Sequence, residues 1–472
     1  MSLIQRECSP ALSPSEGERG KPARGVSGLM ERHNRRALGP SRMKLLVFAH
    51  TPPPHHGQSY MVQLMLAGFG GDRRRRGRRA AGGGPETPYG IECYHVNARL
   101  SKTLEDIGEI QSIKLLRIFL FCIEAIWCRF RYGVDNFYYV PAPGKRAALY
   151  RDWMVMFICR RFFKRIILHW HAAGLAKWLE TSVQIRTRAV TYHAFKRPAL
   201  SVVISKYNVA DAEKLFSQRI CRVNYGIPDP CPDFEKTVLA RRKARFAARA
   251  KLFRGEGLGP TDLEGTGGDP QIVRVLYLAH YMREKGLFAA AEAVILANQI
   301  LSRRKCPVQM KLFAAGTFVT DEEKLEFDER LKNPEFAGAV ACLGFVSGVE
   351  KERALREADL YCFPTRYPAE NQPVTLIEAM AFGLPIVTTR WRSIPEMFPP
   401  GYPGLVADQA TGPIADALVA LMTVETGEEL RGIFLRSFTL ERYLSGLAEA
   451  FEQVEAPRPM TLSAAEASRV AR

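Results

Sequence analysis

Five short apolar runs dominate the second half of the chain: VRVLYLAH (273–280), VQMKLFAAG (308–316), AVACLGFV (339–346), ADLYCFPT (358–365) and PIVTT (385–389), each separated from the next by an amphipathic segment of helix length. A run that is apolar at every position, rather than at every second one, suits a strand covered on both faces. Such strands alternating with helices predict a parallel, doubly wound α/β sheet. The first half repeats the pattern. KLLVFAH (44–50) stops at Thr51-Pro52-Pro53-Pro54, a helical period runs from Gln58 to Leu66, and further strands are expected at Phe137 to Val140, Arg165 to Trp170 and Leu200 to Ser205. Two Rossmann-like domains of this kind are expected to turn the C-terminal ends of their sheets towards a shared cleft, where ligands of open α/β sheets sit.

The 472 residues exceed what one core usually serves. The expected division is a disordered or spurious N-terminal extension over 1–42, a first Rossmann-like domain over 43–230, a basic linker or insertion over 231–270, a second Rossmann-like domain over 271–435, a C-terminal helix over 436–453 that packs back on the first domain, and a tail over 454–472. Met43 is the expected biological start. The net charge of +18 gathers partly in the polar N-terminal stretch and in Arg73-Arg74-Arg75-Arg76-Gly77-Arg78-Arg79, expected to be a solvated loop. No zinc-finger spacing, RNP-like aromatics or helix-turn-helix accompanies the charge, so no nucleic-acid partner is expected. An anionic ligand or an anionic membrane surface would satisfy it as well. With ten cysteines but no C-x-x-C pair, no apolar run of the ~18 residues that a spanning helix needs, and no signal-like h-region, the expected location is the cytoplasm, either free or peripheral on the inner face of the cell membrane. Lys114 to Arg131 and Trp153 to Arg165 mix aromatics, aliphatics and arginines, which suits either an interfacial helix on anionic lipid or a core helix whose arginines snorkel.

The richest block is Pro368-Ala369-Glu370-Asn371-Gln372-Pro373-Val374-Thr375-Leu376-Ile377-Glu378, continuing to Pro385. Pro373 suits the first turn of a helix. The N–H groups near Gln372 to Thr375 can hold a diphosphate, and two carboxylates eight residues apart can each accept from vicinal hydroxyls. A nucleotide sugar offers those groups in that order. Alternatively, Glu378, the one charge in an apolar helix, pairs with a Lys or Arg.

This block resembles the E-x7-E motif of retaining GT-B glycosyltransferases of family 4, in the variant that reads E-G-Q-P. Here Asn371 replaces the small residue. The resemblance implies that Glu370 holds the transferred sugar, that Glu378 holds the ribose, and that Asn371, Gln372, Pro373 and Val374 border the donor. Ala279-His280-Tyr281-Met282-Arg283-Glu284-Lys285-Gly286 resembles the family's G-R-L-x-x-x-K-G phosphate clamp. Lys285 would neutralise the leaving diphosphate, His280 stands where Arg is commonest, and Arg283 either compensates or is an exposed helix-start residue. His169-Trp170-His171-Ala172 is similar to H-x-H-G, implying a catalytic His171 reaching the sugar and a packing role for His169. Gly57 matches the Gly-rich turn after the first strand, with His55 and His56 beside it. The resemblance covers roughly residues 43 to 451 and implies that 43–230 is the acceptor-side domain and 271–435 the nucleotide-sugar-binding domain.

The fold implied is GT-B, and the activity is transfer with retention of anomeric configuration by a front-face route, in polysaccharide or cell-envelope glycan synthesis. The donor is a UDP- or GDP-sugar, and the acceptor a glycan, lipid-linked or small molecule. No cofactor beyond the nucleotide-sugar co-substrate, and no metal, is expected; His50, His55 and His56 lack a matching carboxylate. The competing readings are a nucleotide-sugar epimerase of GT-B architecture and a non-catalytic sugar-nucleotide scaffold.

Overall fold

The computed structural model describes residues 43–53, 57–75, 89–99, 112–422 and 427–455. The expectations for 1–42, for His55 and His56, for most of the Arg-rich loop and for the tail beyond 455 lie outside the described residues.

Six strands build the first sheet: β1 (Met43–Phe48), β2 (Ile91–Val96), β3 (Asn136–Tyr139), β4 (Arg165–Trp170), β5 (Leu200–Val203) and β6 (Ile220–Arg222), in the order β2-β1-β3-β4-β5-β6. Six more build the second: β7 (Ile272–Leu278), β8 (Gln309–Ala315), β9 (Val340–Gly344), β10 (Leu360–Phe363), β11 (Ile386–Thr389) and β12 (Leu405–Val406), in the order β12-β11-β10-β7-β8-β9. Every pairing is parallel. In the second sheet the winding reverses between β7 and β10, so the crevice of an open α/β sheet opens at their C-terminal ends. The strands expected from unbroken apolar runs form because both faces are covered: β1, β7 and β10 bury nearly every residue.

Two segments differ from expectation. The basic helix Ala240–Phe253 is not a free linker, because Arg242, Arg245 and Arg249 are buried along one face. Arg245 and Arg249 grip Asp359, just before β10, at 2.9 and 2.8 Å, and Arg245 also donates to the Thr266 carbonyl at 2.6 Å. The described start of the Arg-rich run is anchored rather than solvated: Arg73 pairs with Glu92 on β2 at 2.8 Å, and Arg74 with Glu124 at 2.6 Å.

The chain crosses back at its end. Ile227 donates to Phe438 O, Leu440 donates to Ile227 O, and Phe451 of the helix Leu440–Glu455 packs its ring against Phe69 and Tyr138 of the first domain.

Candidate functional site

The loops leaving β7 and β10 meet at the crevice. After β7 the chain runs through His280 to Lys285 and Gly286, which caps the helix Leu287–Arg303 in the left-handed region at φ +89°. A Cβ at Gly286 would collide with the Pro364 carbonyl, so only glycine lets this helix start abut the end of β10. Gln409 fastens the junction, donating to Pro364 O at 2.6 Å and Glu284 O at 3.2 Å. Arg366 N donates to Glu284 O at 2.6 Å.

That arrangement brings Lys285 Nζ to 3.0 Å from Glu370 Oε2, with side chains only 17% and 12% exposed. The ammonium also lies 4.8 Å from the centre of the Tyr367 ring. The helix Val374–Ala381 begins after Pro373, as its pyrrolidine favours. The Val374 and Thr375 amides open this helix, where backbone N–H groups have no partner within the helix. Glu378, buried on this helix, takes an ion pair at 2.5 Å from Lys351 of the helix Gly348–Glu357. The alternative partner expected for Glu378 is thus present at the same site. Tyr361, on β10, joins the two carboxylates electrostatically: burial raises its pKa first, and the charges of Glu378 and Glu370 add to it. Tyr60, on the first domain's helix Gly57–Gly68, has its pKa raised by burial and then by Glu378. A Cβ at Gly57 would sit 3.5 Å from Val374 Cγ2, an ordinary contact beside the helix start.

His280 is held below the usual imidazole range by burial and then by Lys285, which keeps it neutral near pH 7 beside the ammonium. Arg283 is not brought to the carboxylates. It pairs with Glu326 and its guanidinium stacks 4.3 Å from the Phe288 ring on the outer surface. Asn371 and Gln372 face the first domain. Ser205 donates to Asn371 Oδ1 at 2.8 Å, Asn371 Nδ2 donates to Asn208, and the Tyr225 amide donates to Gln372 Oε1 at 2.7 Å. His171 is buried, its Nδ1 2.6 Å from the Tyr225 hydroxyl and its Nε2 3.5 Å from that of Tyr138. Tyr225, which links His171 to the Gln372 side chain, has its pKa raised by burial and then by Tyr443 and Glu370. His169, as expected for a packing residue, is fully buried; Tyr138 holds its Nδ1 at 2.6 Å, and burial pushes its pKa down to about 3.

Sequence reasoning missed Lys351, Tyr60, Gln409 and the role of Tyr225. Lys351 is one of several charges in an amphipathic helix, and only tertiary contact distinguishes it. Among the described residues, no group of three His, Cys, Asp or Glu side chains could hold a metal ion.

With its crevice between two parallel doubly wound sheets, the fold is GT-B. Solved structures agree: Anabaena HepE with UDP-glucose superposes with a TM-score of 0.54 at 15% identity, over 87% of this chain and 99% of that one. A family model described as Glycosyl transferases group 1 matches residues 272–423, which contain both carboxylates and Lys285. Among curated proteins, the amylovoran biosynthesis glycosyltransferase AmsK of Erwinia amylovora is 28% identical over 156 residues, 32% of this chain and 35% of its own length. The phosphatidyl-myo-inositol mannosyltransferase of Mycobacterium leprae is 33% identical over 183 residues, 38% of this chain and 42% of its own length. The matches thus span well under half of these relatives.

Proposed function

We propose that the chain is a glycosyltransferase that moves a sugar from a nucleoside-diphosphate donor to a glycan or lipid-linked acceptor, with retention at the anomeric carbon, in polysaccharide or envelope-glycan synthesis. The observation that carries this reading is the 3.0 Å pair of Lys285 and Glu370 at the winding reversal of the second sheet, beside the start of the helix that bears Glu378. The match of residues 272–423 to the group 1 model, and two relatives whose names state glycosyl transfer, support it. HepE, of the same fold, is solved with UDP-glucose, which favours a UDP-sugar among the possible donors.

In this reading the diphosphate rests on the Val374 and Thr375 amides, where the helix dipole and unbonded N–H groups favour negative charge. Its arrival draws Lys285 from Glu370 to the phosphate, which leaves Glu370 to accept from the sugar hydroxyls and Glu378 from the ribose. The acceptor oxygen bonds to the anomeric carbon as the bond to the diphosphate breaks, on the same face. The acceptor's proton passes to the departing phosphate oxygen. Lys285 stabilises the charge developing there, and neutral His280 donates one hydrogen bond.

The test incubates the purified chain with labelled UDP- and GDP-sugars. Release of nucleoside diphosphate and free or transferred sugar supports transfer. Isomerised donor would mark an epimerase, and binding without turnover a scaffold.

A further inference from the structure

The helix Ser112–Tyr132 has a surface that the transfer chemistry does not use. Leu116, Phe119, Leu120, Ile123, Trp127 and Phe130 are each 46–69% exposed. At 100° per residue they fall within an arc of roughly 100°. The opposite side, with Ile118, Cys122, Ala125 and Cys128, is buried against the first sheet. Apolar on both sides, this helix presents a contiguous exposed stripe of the kind that marks an interaction surface. Exposed Arg117 and Arg131 border the outer stripe. Phe130 meets Phe162 edge-on at 6.1 Å, which carries the surface on to exposed Arg161.

We propose that this face docks the chain on an anionic membrane surface, the stripe entering the boundary between headgroups and acyl chains while the flanking arginines meet lipid phosphates. Charge selects the occupant. A second copy would set its own Arg117 and Arg131 beside the same residues in an isologous contact, and a chain of net charge +18 adds long-range repulsion. A bilayer with anionic lipid complements both the hydrocarbon and the cations. No helix among the described residues is long and apolar enough to cross a membrane, so the contact is a surface one. The same helix lines a cavity with its Ile118 and Phe121, together with His50, Gln58, Tyr139 and Arg151 at the C-terminal end of the first sheet. Resting on the transferase reading, docking through this helix would bring the first domain against an acceptor carried in the bilayer.

The experiment is flotation of the purified full chain with vesicles of phosphatidylcholine, with and without about a third phosphatidylglycerol. The chain should float with the anionic vesicles and be released by salt. Phe119→Glu with Trp127→Glu, and separately Arg117→Glu with Arg131→Glu, should each weaken vesicle binding by about 10-fold or more, with melting temperature and donor hydrolysis unchanged. Failure of the wild-type chain to bind anionic vesicles, or binding by both variants as strong as that of the wild-type chain, overturns the proposal. So does a wild-type dimer in light scattering that the Phe119/Trp127 variant converts to monomer, since a second copy would then be the occupant. Vesicle binding that persists when no donor is turned over leaves the docking standing and removes the transferase reading.

Discussion

Lys285 and Glu370 satisfy each other at 3.0 Å, and Lys351 and Glu378 at 2.5 Å, so the site holds two cations matched to two carboxylates. In the proposed reading only the first pair acts on the leaving group. Lys351→Ala should therefore raise the donor KM by about 10-fold while changing kcat little, because it unsettles a carboxylate assigned to ribose binding. Steady-state kinetics in varied donor check this; an equal fall in kcat would give Lys351 a part in the chemistry. A second prediction concerns His169. Folded, it titrates near 3, against about 6.5 for an unperturbed imidazole. Between those values the unfolded chain binds a proton that the folded chain refuses, so stability falls as pH drops, by an amount of the order of 4 kcal/mol at the acid end. His95 and His280, also depressed, act in the same direction. His169→Gln should unfold over a shallower acid slope in denaturant titrations between pH 7 and 4; an unchanged slope contradicts the assignment. Of the candidate residues, Glu378 was legible as the one charge in an apolar helix, and Glu370 and Lys285 through the resemblance of their motifs to those of a known family. Arg283 was not: the sequence shows a cation near the turn but not that Phe288 and Glu326 draw it outwards.

At the level of elements, the legible strands were those buried on both faces. β2 was not read because Glu92 and His95 break its apolar run, and their partners, Arg73 and the Ala49 carbonyl, come from other segments. β6 and β12, three and two residues long, carry too little pattern to be seen. The helix Ala240–Phe253 was read as basic and helical, but its docking was hidden, since Asp359 lies more than a hundred residues away. Asp359→Asn leaves two buried guanidinium groups without their charge partner and should cost about 3–5 kcal/mol in chemical denaturation. A loss below about 1 kcal/mol would mean the arginines are held by the Thr266, Glu357 and Pro270 carbonyls alone.

At the scale of the whole molecule, a seam beside the site joins the domains among the described residues: Asn371 and Gln372 to Ser205, Asn208 and Tyr225, Arg392 to the Ala173 carbonyl at 3.0 Å, and Glu396 to the Lys206 amide at 2.9 Å. The residues expected to line the donor thus fasten the closed cleft. Asn371→Ala with Gln372→Ala should raise the radius of gyration in solution scattering by about 1 Å and lower kcat by about 10-fold, since an open cleft misaligns the two halves of the site. A raised donor KM with unchanged scattering would return these side chains to the donor. The central claim, that Lys285 and Glu370 act together on an activated sugar, is tested most directly by donor turnover in Lys285→Ala and Glu370→Gln, with folding checked by thermal melting. The account predicts that each well-folded variant loses about 100-fold or more in kcat; turnover within a few-fold of the unaltered chain in either would contradict it.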